Sequence, residues 1–121
     1  MANTSDKGIR KIVFDKYNGH CAYCGVILNI EKFTIDHIEP KLRKMSYSNR
    51  KPGSDLVSNM NPSCQSCNSS KSVFTIDQWR AQIELKYNRL LRDSSTFRLL
   101  VRFGIVRKVS NKLKFYFENY G

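Results

Sequence analysis

Apolar residues recur at helical spacing near the N-terminus of this chain. Three of them share one face of a helix: Ile9, Ile12 and Val13. Ser5 is a candidate N-cap before them, and the pair Asn18-Gly19 is typical of the residues that end a helix. The pattern predicts a short core helix over residues 6–19.

The C-terminal third repeats this helical spacing twice. A capping box formed by Thr75 and Gln78 predicts the start of a longer helix. Its apolar positions follow at steps of three and four: Ile76, Trp79, Ile83, Tyr87 and Leu90. A shorter helix follows, capped by Ser94 or Ser95 and ended by Gly104. Its apolar residues are Phe97, Leu100 and Val101.

Other stretches have the composition or the two-residue alternation of β-strands. They are residues 26–28, 33–38 and 56–61, and residues 105–118, which predict a hairpin that turns near Ser110-Asn111. A polar and basic loop separates the second stretch from the third, from Pro40 to Asp55. Strands mixed with helices in this order predict an α+β domain.

Length and charge narrow the class of protein. A chain of 121 residues is long enough for one ordinary domain, so we expect a single domain over residues 1–121. Its formal net charge of +11 favours a polyanionic partner such as nucleic acid. The N-terminus has no apolar signal core and no stretch is apolar enough for a membrane span, which predicts a cytoplasmic protein with no membrane partner.

Cations in three regions are candidates for contacts to nucleic-acid phosphates, which add affinity without sequence information. They lie in the basic loop, after the second cysteine pair and on the longer helix: Lys41, Arg43, Lys44, Arg50, Lys51, Lys71, Lys86 and Arg89. For Lys71, a lysine in solvent is the alternative interpretation.

Four cysteines form two Cys-x-x-Cys pairs, which is the donor set that tetrahedral structural zinc prefers. The pairs are Cys21 with Cys24 and Cys64 with Cys67. A redox role is the alternative, but two such short disulfide loops would add little stability and leave the pairs unlinked. His20 could also replace one thiolate. A closed site of four thiolates would stabilise the domain without catalysing a reaction.

The 39 residues between the pairs, together with the residue directly after the second pair, contain candidates for phosphodiester hydrolysis. His37 has a side chain suited to act as a general base near neutral pH. Asp36 and Asn68 offer oxygen ligands for Mg²⁺ or a similar ion. Since neighbours on a regular strand point to opposite faces, we expect a strand end or a bulge at Asp36 and His37.

The motifs CAYCG, DHIEP and SNMNPSCQSCNSSK closely resemble HNH endonucleases, particularly the small phage and prophage type with a four-cysteine zinc. The resemblance covers roughly residues 10–75. It implies a ββα-metal finger, with the N-terminal helix before it and the C-terminal helices and hairpin after it. The core would span residues 20–74 and the basic extension residues 75–121.

The resemblance also implies roles for individual residues. Asp36 and Asn68 would bind the catalytic Mg²⁺ or Mn²⁺ and His37 would activate water. Asn59 would hold the loop and the histidine by hydrogen bonds, because its spacing of nine to Asn68 fits the motif better than that of Asn61. Pro52-Gly53 replaces a Gly-Gly that is frequent in the loop of relatives, which affects the shape of the loop.

The function implied is a DNA endonuclease that leaves 5′-phosphate and 3′-hydroxyl ends, in a phage packaging or restriction setting. Two alternatives use the same finger. One is a zinc-organised DNA-binding accessory module without catalysis, and the other is a ribonuclease. The complete set of Asp36, His37, Asn59 and Asn68 argues against the first alternative, because a module that only binds does not need all four.

Overall fold

The structure is a computed structural model that describes residues 6–41, 53–108 and 112–119. The chain divides into two compact units. The first consists of Met1–Ile76 together with Lys114–Gly121, and the second is Asp77–Leu113. The predicted zinc-bound core therefore lies within one unit. The C-terminal tail, Lys114–Gly121, belongs to the same unit.

Six helical segments and two strands follow one another along the described residues. In chain order they are helix α1 (Lys7–Asp15), strand β1 (Thr34–His37), a 3-10 turn (Val57–Asn59), strand β2 (Met60–Ser63), helix α2 (Gln65–Lys71), helix α3 (Ile76–Asp93), helix α4 (Ser95–Arg102) and a second 3-10 turn (Tyr116–Asn119). The mixture of helices with a small two-stranded sheet confirms the predicted α+β class. No helix in the described ranges is both long enough and apolar enough to cross a bilayer.

Helix α1 confirms the predicted N-terminal helix, with a shorter helical part. Asp6 caps it by accepting a hydrogen bond of 3.0 Å from the backbone N–H of Ile9, whereas the predicted cap, Ser5, lies outside the described residues. Asn18 and Gly19 adopt positive φ angles of 53° and 80°, as the predicted stop requires. The prediction for Ile12 was wrong, because this side chain is 54% exposed.

Strands β1 and β2 form an antiparallel pair, with Thr34 opposite Ser63 and His37 opposite Met60. The predicted strand over residues 33–38 is therefore confirmed, slightly shortened. The third predicted stretch, 56–61, was wrong for residues 56–59. There the backbone N–H of Asn59 bonds back to the carbonyl of Leu56 at 2.8 Å, which forms the first 3-10 turn, and the strand begins only at Met60.

The predicted strand over residues 26–28 was also wrong. Ile27 makes only an isolated bridge with His20. The local hydrogen bonds instead close a tight turn around the first cysteine pair: Cys21 N–H to Val26 O at 2.8 Å and Gly25 N–H to Cys21 O at 3.0 Å. We call residues 20–27 the knuckle. Its backbone groups are used to curve the chain, so they cannot continue a strand ladder.

A small apolar core holds the first unit together. Val13 from α1, Phe33 before β1 and Met60 from β2 are almost fully buried. Five partly buried side chains pack on this cluster: Ile9, Phe14, Leu28, Ile35 and Val57. Burial of each large side chain stabilises the fold by about 1.5–3 kcal/mol. The core therefore fixes α1 against β2 and positions the strand end that carries the polar residues of the site.

The predicted C-terminal hairpin is absent from the described part of residues 105–118. Residues 105–108 and 112–115 form no strand, and 116–119 form the second 3-10 turn, while the predicted turn at Ser110-Asn111 lies outside the described residues. The backbone N–H groups of Tyr116 and Phe117 donate instead to the carbonyls of Tyr23 and Ala22, at 2.9 and 2.7 Å. These backbone N–H groups of the tail are therefore hydrogen-bonded to the knuckle and not to a partner strand.

Aromatic packing explains the alternation that suggested a strand. The rings of Phe115 and Phe117 meet the ring of Tyr23 edge-on, at centroid distances of 5.7 and 6.0 Å. Tyr116 points elsewhere and stacks on His20 at 5.4 Å. The alternating apolar and polar positions of the tail therefore reflect its contact with the knuckle.

The second unit contains most of α3 and all of α4. The predicted stripe on α3 is less buried than expected, because Trp79 is 3% exposed whereas Leu90 is 45% exposed. Helix α4 is confirmed: the Ser94 hydroxyl accepts a hydrogen bond of 3.1 Å from the backbone N–H of Phe97. Gly104 follows the helix with a φ of 74°. Leu113 N–H also bonds to the Glu84 carboxylate at 3.0 Å.

The contact between tail and knuckle predicts a large cost for Gly25→Ala. Gly25 has a φ of 80°, and an added Cβ would lie 2.6 Å from the ring of Tyr116. Gly104 has a similar φ of 74° but open space around it, which makes Gly104→Ala the matched control. We expect the control to lose about 1 kcal/mol of unfolding free energy from backbone strain and Gly25→Ala to lose about 1–3 kcal/mol more from the clash. Urea unfolding measures both, and equal losses would contradict the predicted contact.

Candidate metal centre and active site

The four cysteines come together although the two pairs are far apart in the chain. Their sulfur atoms all lie within 4.8 Å of one another. Cys21 and Cys24 come from the knuckle, whereas Cys64 is the N-cap of α2 and Cys67 lies in its first turn. The predicted cluster of thiols is therefore present in the fold.

The dimensions of the cluster fit tetrahedral zinc. A zinc–sulfur bond length of about 2.3 Å places the sulfur atoms of a tetrahedral site about 3.8 Å apart. The Sγ atoms of Cys24 and Cys64 lie 3.8 Å apart. His20 directs its Nδ1 atom towards the carbonyl oxygen of Tyr17, at 3.1 Å, and is not part of the cluster among the described residues. Four thiolates can therefore hold one metal ion such as zinc.

The environment of Cys21 favours the thiolate form that a metal requires. The backbone N–H groups of Tyr23 and Cys64 point at its sulfur atom, at 3.5 and 3.4 Å. A hydrogen bond from the Cys67 thiol, together with backbone N–H groups that include that of Cys24, outweighs the effect of burial and lowers the pKa of Cys21 to about 4. Hydrogen bonds to a thiolate lower its pKa because they stabilise the charged form.

Asp36 lies in a buried polar cluster directly beneath the knuckle. The Tyr23 hydroxyl donates a hydrogen bond to its Oδ2 atom. The Lys71 ammonium lies 3.2 Å from Oδ2 and 3.5 Å from Oδ1. Burial raises the pKa of Asp36, while the hydrogen bond from Tyr23 and the charge of Lys71 act in the opposite direction. Oδ2 thus has two close partners, and Oδ1 keeps more of its capacity to bind a ligand.

The prediction for Lys71 was wrong. This residue was expected in solvent or at a phosphate, but its side chain is fully buried, because it provides the counter-charge for Asp36 inside the unit. Its ammonium also donates to the backbone carbonyl of His37 at 2.9 Å. The last residue of α2 is therefore bound to both neighbouring residues at the end of β1, and it holds the helix against the strand.

His37 is the last residue of β1, as the strand-end prediction requires. Asp36 is buried and His37 is partly exposed, with 18% of its side-chain surface accessible. The Nε2 atom of His37 lies 3.1 Å from Oδ1 of Asp55. Oδ2 of Asp55 accepts a hydrogen bond of 2.9 Å from Lys41, which, with the hydrogen bond from His37, lowers the pKa of Asp55.

Asn59 spans the base of the loop that leaves β1. Its Oδ1 accepts from the Glu39 N–H at 2.9 Å, and its Nδ2 donates to the carbonyls of Glu39 and Ser54, at 3.0 and 2.8 Å. Its own carbonyl accepts from the N–H of Ile38 at 2.9 Å. Asn61 differs from it: this residue is buried and donates to the Tyr23 hydroxyl at 3.4 Å.

Asn68 lies on α2 directly after Cys67. Its backbone N–H donates to the carbonyl of Cys64 at 3.0 Å, and its side chain is partly exposed. Lys71, one turn further along the same helix, contacts Asp36 and His37. The structure thus places Asn68 on the helix that packs against the end of β1.

The structure describes only some of the residues that were predicted to contact phosphates. Lys41 is described and pairs with Asp55, while Lys86 and Arg89 are exposed on α3 in the second unit. Four predicted contacts lie outside the described residues: Arg43, Lys44, Arg50 and Lys51.

Sequence reasoning missed Tyr23 and Asp55. Tyr23 lies between Cys21 and Cys24, and nothing in the neighbouring sequence indicates that its hydroxyl bonds to Asp36, 13 residues away. Asp55 lies 18 residues from His37, at the end of a loop whose path the sequence pattern does not predict. In both cases the contact depends on how the loops close and not on a periodic spacing.

The sulfur cluster predicts that the first unit depends on zinc. Cys24→Ser should lose stoichiometric zinc and the cooperative unfolding of this unit, because zinc binding contributes about 10–16 kcal/mol in small metal-folded domains. Ser66→Ala, an exposed site between the second pair, is the matched control and should keep its zinc. Metal analysis and circular dichroism measure both properties, and a folded, zinc-free Cys24→Ser variant would contradict the prediction.

The buried ion pair predicts a large loss of stability for Lys71→Met. This substitution leaves Asp36 buried without its counter-charge, which costs about 3–5 kcal/mol. Lys11→Met breaks the exposed pair with Asp15, where both side chains are more than half exposed, and should change the unfolding free energy by less than about 1 kcal/mol. Urea unfolding of the two zinc-loaded variants distinguishes the cases, and similar losses would show that Lys71 is not the buried partner.

Comparisons with known proteins agree with this architecture. The family model described as HNH endonuclease matches residues 21–74, which include the four cysteines, β1, β2 and α2. An SPbeta prophage-derived protein of Bacillus subtilis (strain 168), named as a candidate HNH endonuclease, is 33% identical over 88 residues. That match covers 71% of this chain and 34% of the relative, so the chain spans about a third of the length of the curated relative.

A solved structure shows the same fold at low sequence identity. It is the Type II-C Cas9 enzyme from Actinomyces naeslundii, which superposes with a TM-score of 0.53 and 17% identity. The superposition covers 93% of this chain and 14% of the Cas9 chain. Together, the matched family model, the prophage relative and the clustered cysteines show that residues 21–74 form an HNH endonuclease domain.

Proposed function

We propose that this protein is a metal-dependent endonuclease that hydrolyses phosphodiester bonds in DNA. The observation that carries the proposal is the contact of α2 with the end of β1. Lys71 binds both Asp36 and the backbone of His37, and Asn68 lies one turn earlier on the same helix. This packing supports a single site that contains a candidate base and two oxygen ligands.

His37 acts as the general base in this proposal. Its side chain is partly exposed, so a water molecule can reach the ring while the strand end holds it. The ring takes a proton as the water oxygen bonds to phosphorus. The bond from phosphorus to the 3′ oxygen then breaks, and this oxygen takes a proton from a solvent water, which leaves 5′-phosphate and 3′-hydroxyl ends. A positioned general base contributes about 10²–10⁴-fold to such a reaction.

Asp36 and Asn68 would hold the catalytic divalent ion. Carboxylate and amide oxygens are the hard ligands that Mg²⁺ and Mn²⁺ accept, and Mg²⁺ is usually bound by one or two carboxylates together with water and phosphate. The Oδ1 atom of Asp36 fits this role because its contact with Lys71 is long, at 3.5 Å. An ion held there would supply a Lewis acid for the phosphate oxygens.

Asn59 would support the site without touching the substrate. Its three side-chain hydrogen bonds tie Glu39 and Ser54 together, which closes the base of the loop next to His37. The loop enters and leaves the site at Lys41 and Asp55, so its closure determines how these two residues meet the histidine. Loss of this closure would affect the position of the base.

Charge supports DNA as the substrate. The chain carries a formal net charge of +11, and exposed cations such as Lys86 and Arg89 can neutralise phosphates without reading sequence. We therefore propose binding that depends strongly on salt. The prophage origin of the curated relative is in keeping with phage packaging or restriction as the setting.

The proposal predicts that cleavage requires His37 and a divalent ion. Zinc-loaded protein should nick or cut plasmid DNA with Mg²⁺ or Mn²⁺, and His37→Ala should lower the rate by about 10²–10⁴-fold while it keeps its zinc and its circular dichroism. His20→Ala removes the other histidine of the chain, which contacts Tyr17 and Tyr116, and serves as the control that retains cleavage.

The substrates are supercoiled, linear, branched and single-stranded DNA, each compared with RNA of matched sequence. Undiminished cleavage by His37→Ala would refute the assigned base. Tight binding of DNA without cleavage under any divalent ion would favour the accessory module, and faster cleavage of RNA would favour the ribonuclease.

A further inference from the structure

The side chains of Lys41 and Asp55 form a chain of polar contacts that ends at the ring of His37. The Nε2 atom of His37 lies 3.1 Å from Oδ1 of Asp55, and the other oxygen of Asp55 lies 2.9 Å from the Lys41 ammonium. Asp55 and His37 are largely shielded, with side-chain exposures of 15% and 18%. A shielded carboxylate with a partner on each oxygen has a defined position.

The chemistry of the two partners decides which nitrogen carries the proton. An ionised carboxylate can only accept hydrogen bonds, and a neutral imidazole has one N–H and one free lone pair. A hydrogen bond between Nε2 and Asp55 therefore requires the proton on Nε2. The lone pair then lies on Nδ1, for which the described residues provide no hydrogen-bond partner.

We propose that Asp55 is a positioning residue that holds His37 in its Nε2–H form, so that Nδ1 is the atom that accepts the proton from water. This inference rests on the proposed nuclease function. A carboxylate that orients a histidine base and fixes its tautomer is an established catalytic device. Asp55 lies at the end of the basic loop, 18 residues after His37, and reaches it only through the fold.

Lys41 explains how a carboxylate can occupy this place. A negative charge near a bound phosphodiester would repel it, and the neighbouring lysine offsets that charge. The side chain of Lys41 is 32% exposed and its ammonium lies 2.9 Å from Asp55, so this lysine binds the carboxylate while part of it remains in contact with solvent. The pair together presents little net charge to the substrate while it keeps the acceptor in line with the ring.

The second histidine of the chain provides an internal reference. His20 directs Nδ1, and not Nε2, at an acceptor, the carbonyl oxygen of Tyr17 at 3.1 Å. A carbonyl oxygen only accepts hydrogen bonds, so this contact requires the proton on Nδ1. The two histidines of the chain are therefore expected to have opposite tautomers, one set by a carboxylate and the other by the backbone.

The tautomers can be observed directly on the zinc-loaded, full-length protein. Two-bond ¹H–¹⁵N NMR correlations report which nitrogen of each neutral ring is protonated. We expect Nε2–H for His37 and Nδ1–H for His20. In Asp55→Asn the amide can donate to Nε2, so His37 should shift towards the Nδ1–H form while His20 remains unchanged. Nδ1–H for His37 in the wild-type protein would overturn the proposal.

Kinetics provide the second part of the test. Asp55→Asn should lower kcat for plasmid cleavage by about 10²-fold, the lower end of the contribution of a general base, with KM within about twofold of the wild-type value. The matched control is Asp15→Asn, which removes the same charge from an exposed pair with Lys11. It should leave kcat unchanged, and a similar kcat for the two variants would overturn the proposal.

A double variant shows whether Asp55 acts through His37. If it does, adding Asp55→Asn to His37→Ala should cause no further loss in the residual rate. An undiminished additional loss would show that Asp55 acts elsewhere and would overturn the proposal. A wild-type protein that cleaves no nucleic acid refutes the nuclease function instead, and the NMR measurement still tests the contact by itself.

Discussion

The convergence of four thiols is the constraint on which the first unit depends. A segment of 39 residues separates Cys21 and Cys24 from Cys64 and Cys67, yet the four sulfur atoms lie within 4.8 Å of one another. Closing a segment of this length costs conformational entropy that grows slowly with its length. Metal binding can offset this cost, because its free energy becomes folding free energy. The apolar cluster around Val13 and Met60 is small, so a metal ion held by the four thiols would add to the contacts that bring the knuckle onto α2.

A buried polar cluster connects the candidate metal centre to the proposed active site. Tyr23 stands between two cysteines of the knuckle and donates to Asp36 on β1, and Asp36 pairs with Lys71 at the end of α2. Buried charges destabilise a fold unless they are paired. The three side chains can therefore satisfy one another only in one arrangement of knuckle, strand and helix. The same contacts hold His37 at the strand end, where Asp55 meets its ring.

Local patterns predicted some elements well and others poorly, and the difference has a physical cause. The helices were predicted because their caps and stops are encoded within a few residues, as at Ser94 and Gly104. Short strands were predicted less well, because a stretch such as residues 26–28 has strand composition but its backbone groups close the knuckle. The alternation in the tail was misleading, since Phe115 and Phe117 face Tyr23 and not a partner strand.

The sequence by itself determined the donor chemistry, the mixed fold class and the order of the helices, because residue types and short-range spacing carry that information. It also indicated the family, through two cysteine pairs that flank an Asp-His dipeptide. Only the tertiary structure decided the partners of those residues. The burial of Lys71, the bond from Tyr23 to Asp36 and the contact of Asp55 with His37 join positions 13 to 35 residues apart. Contacts at such distances depend on how the whole unit packs, which no local pattern encodes.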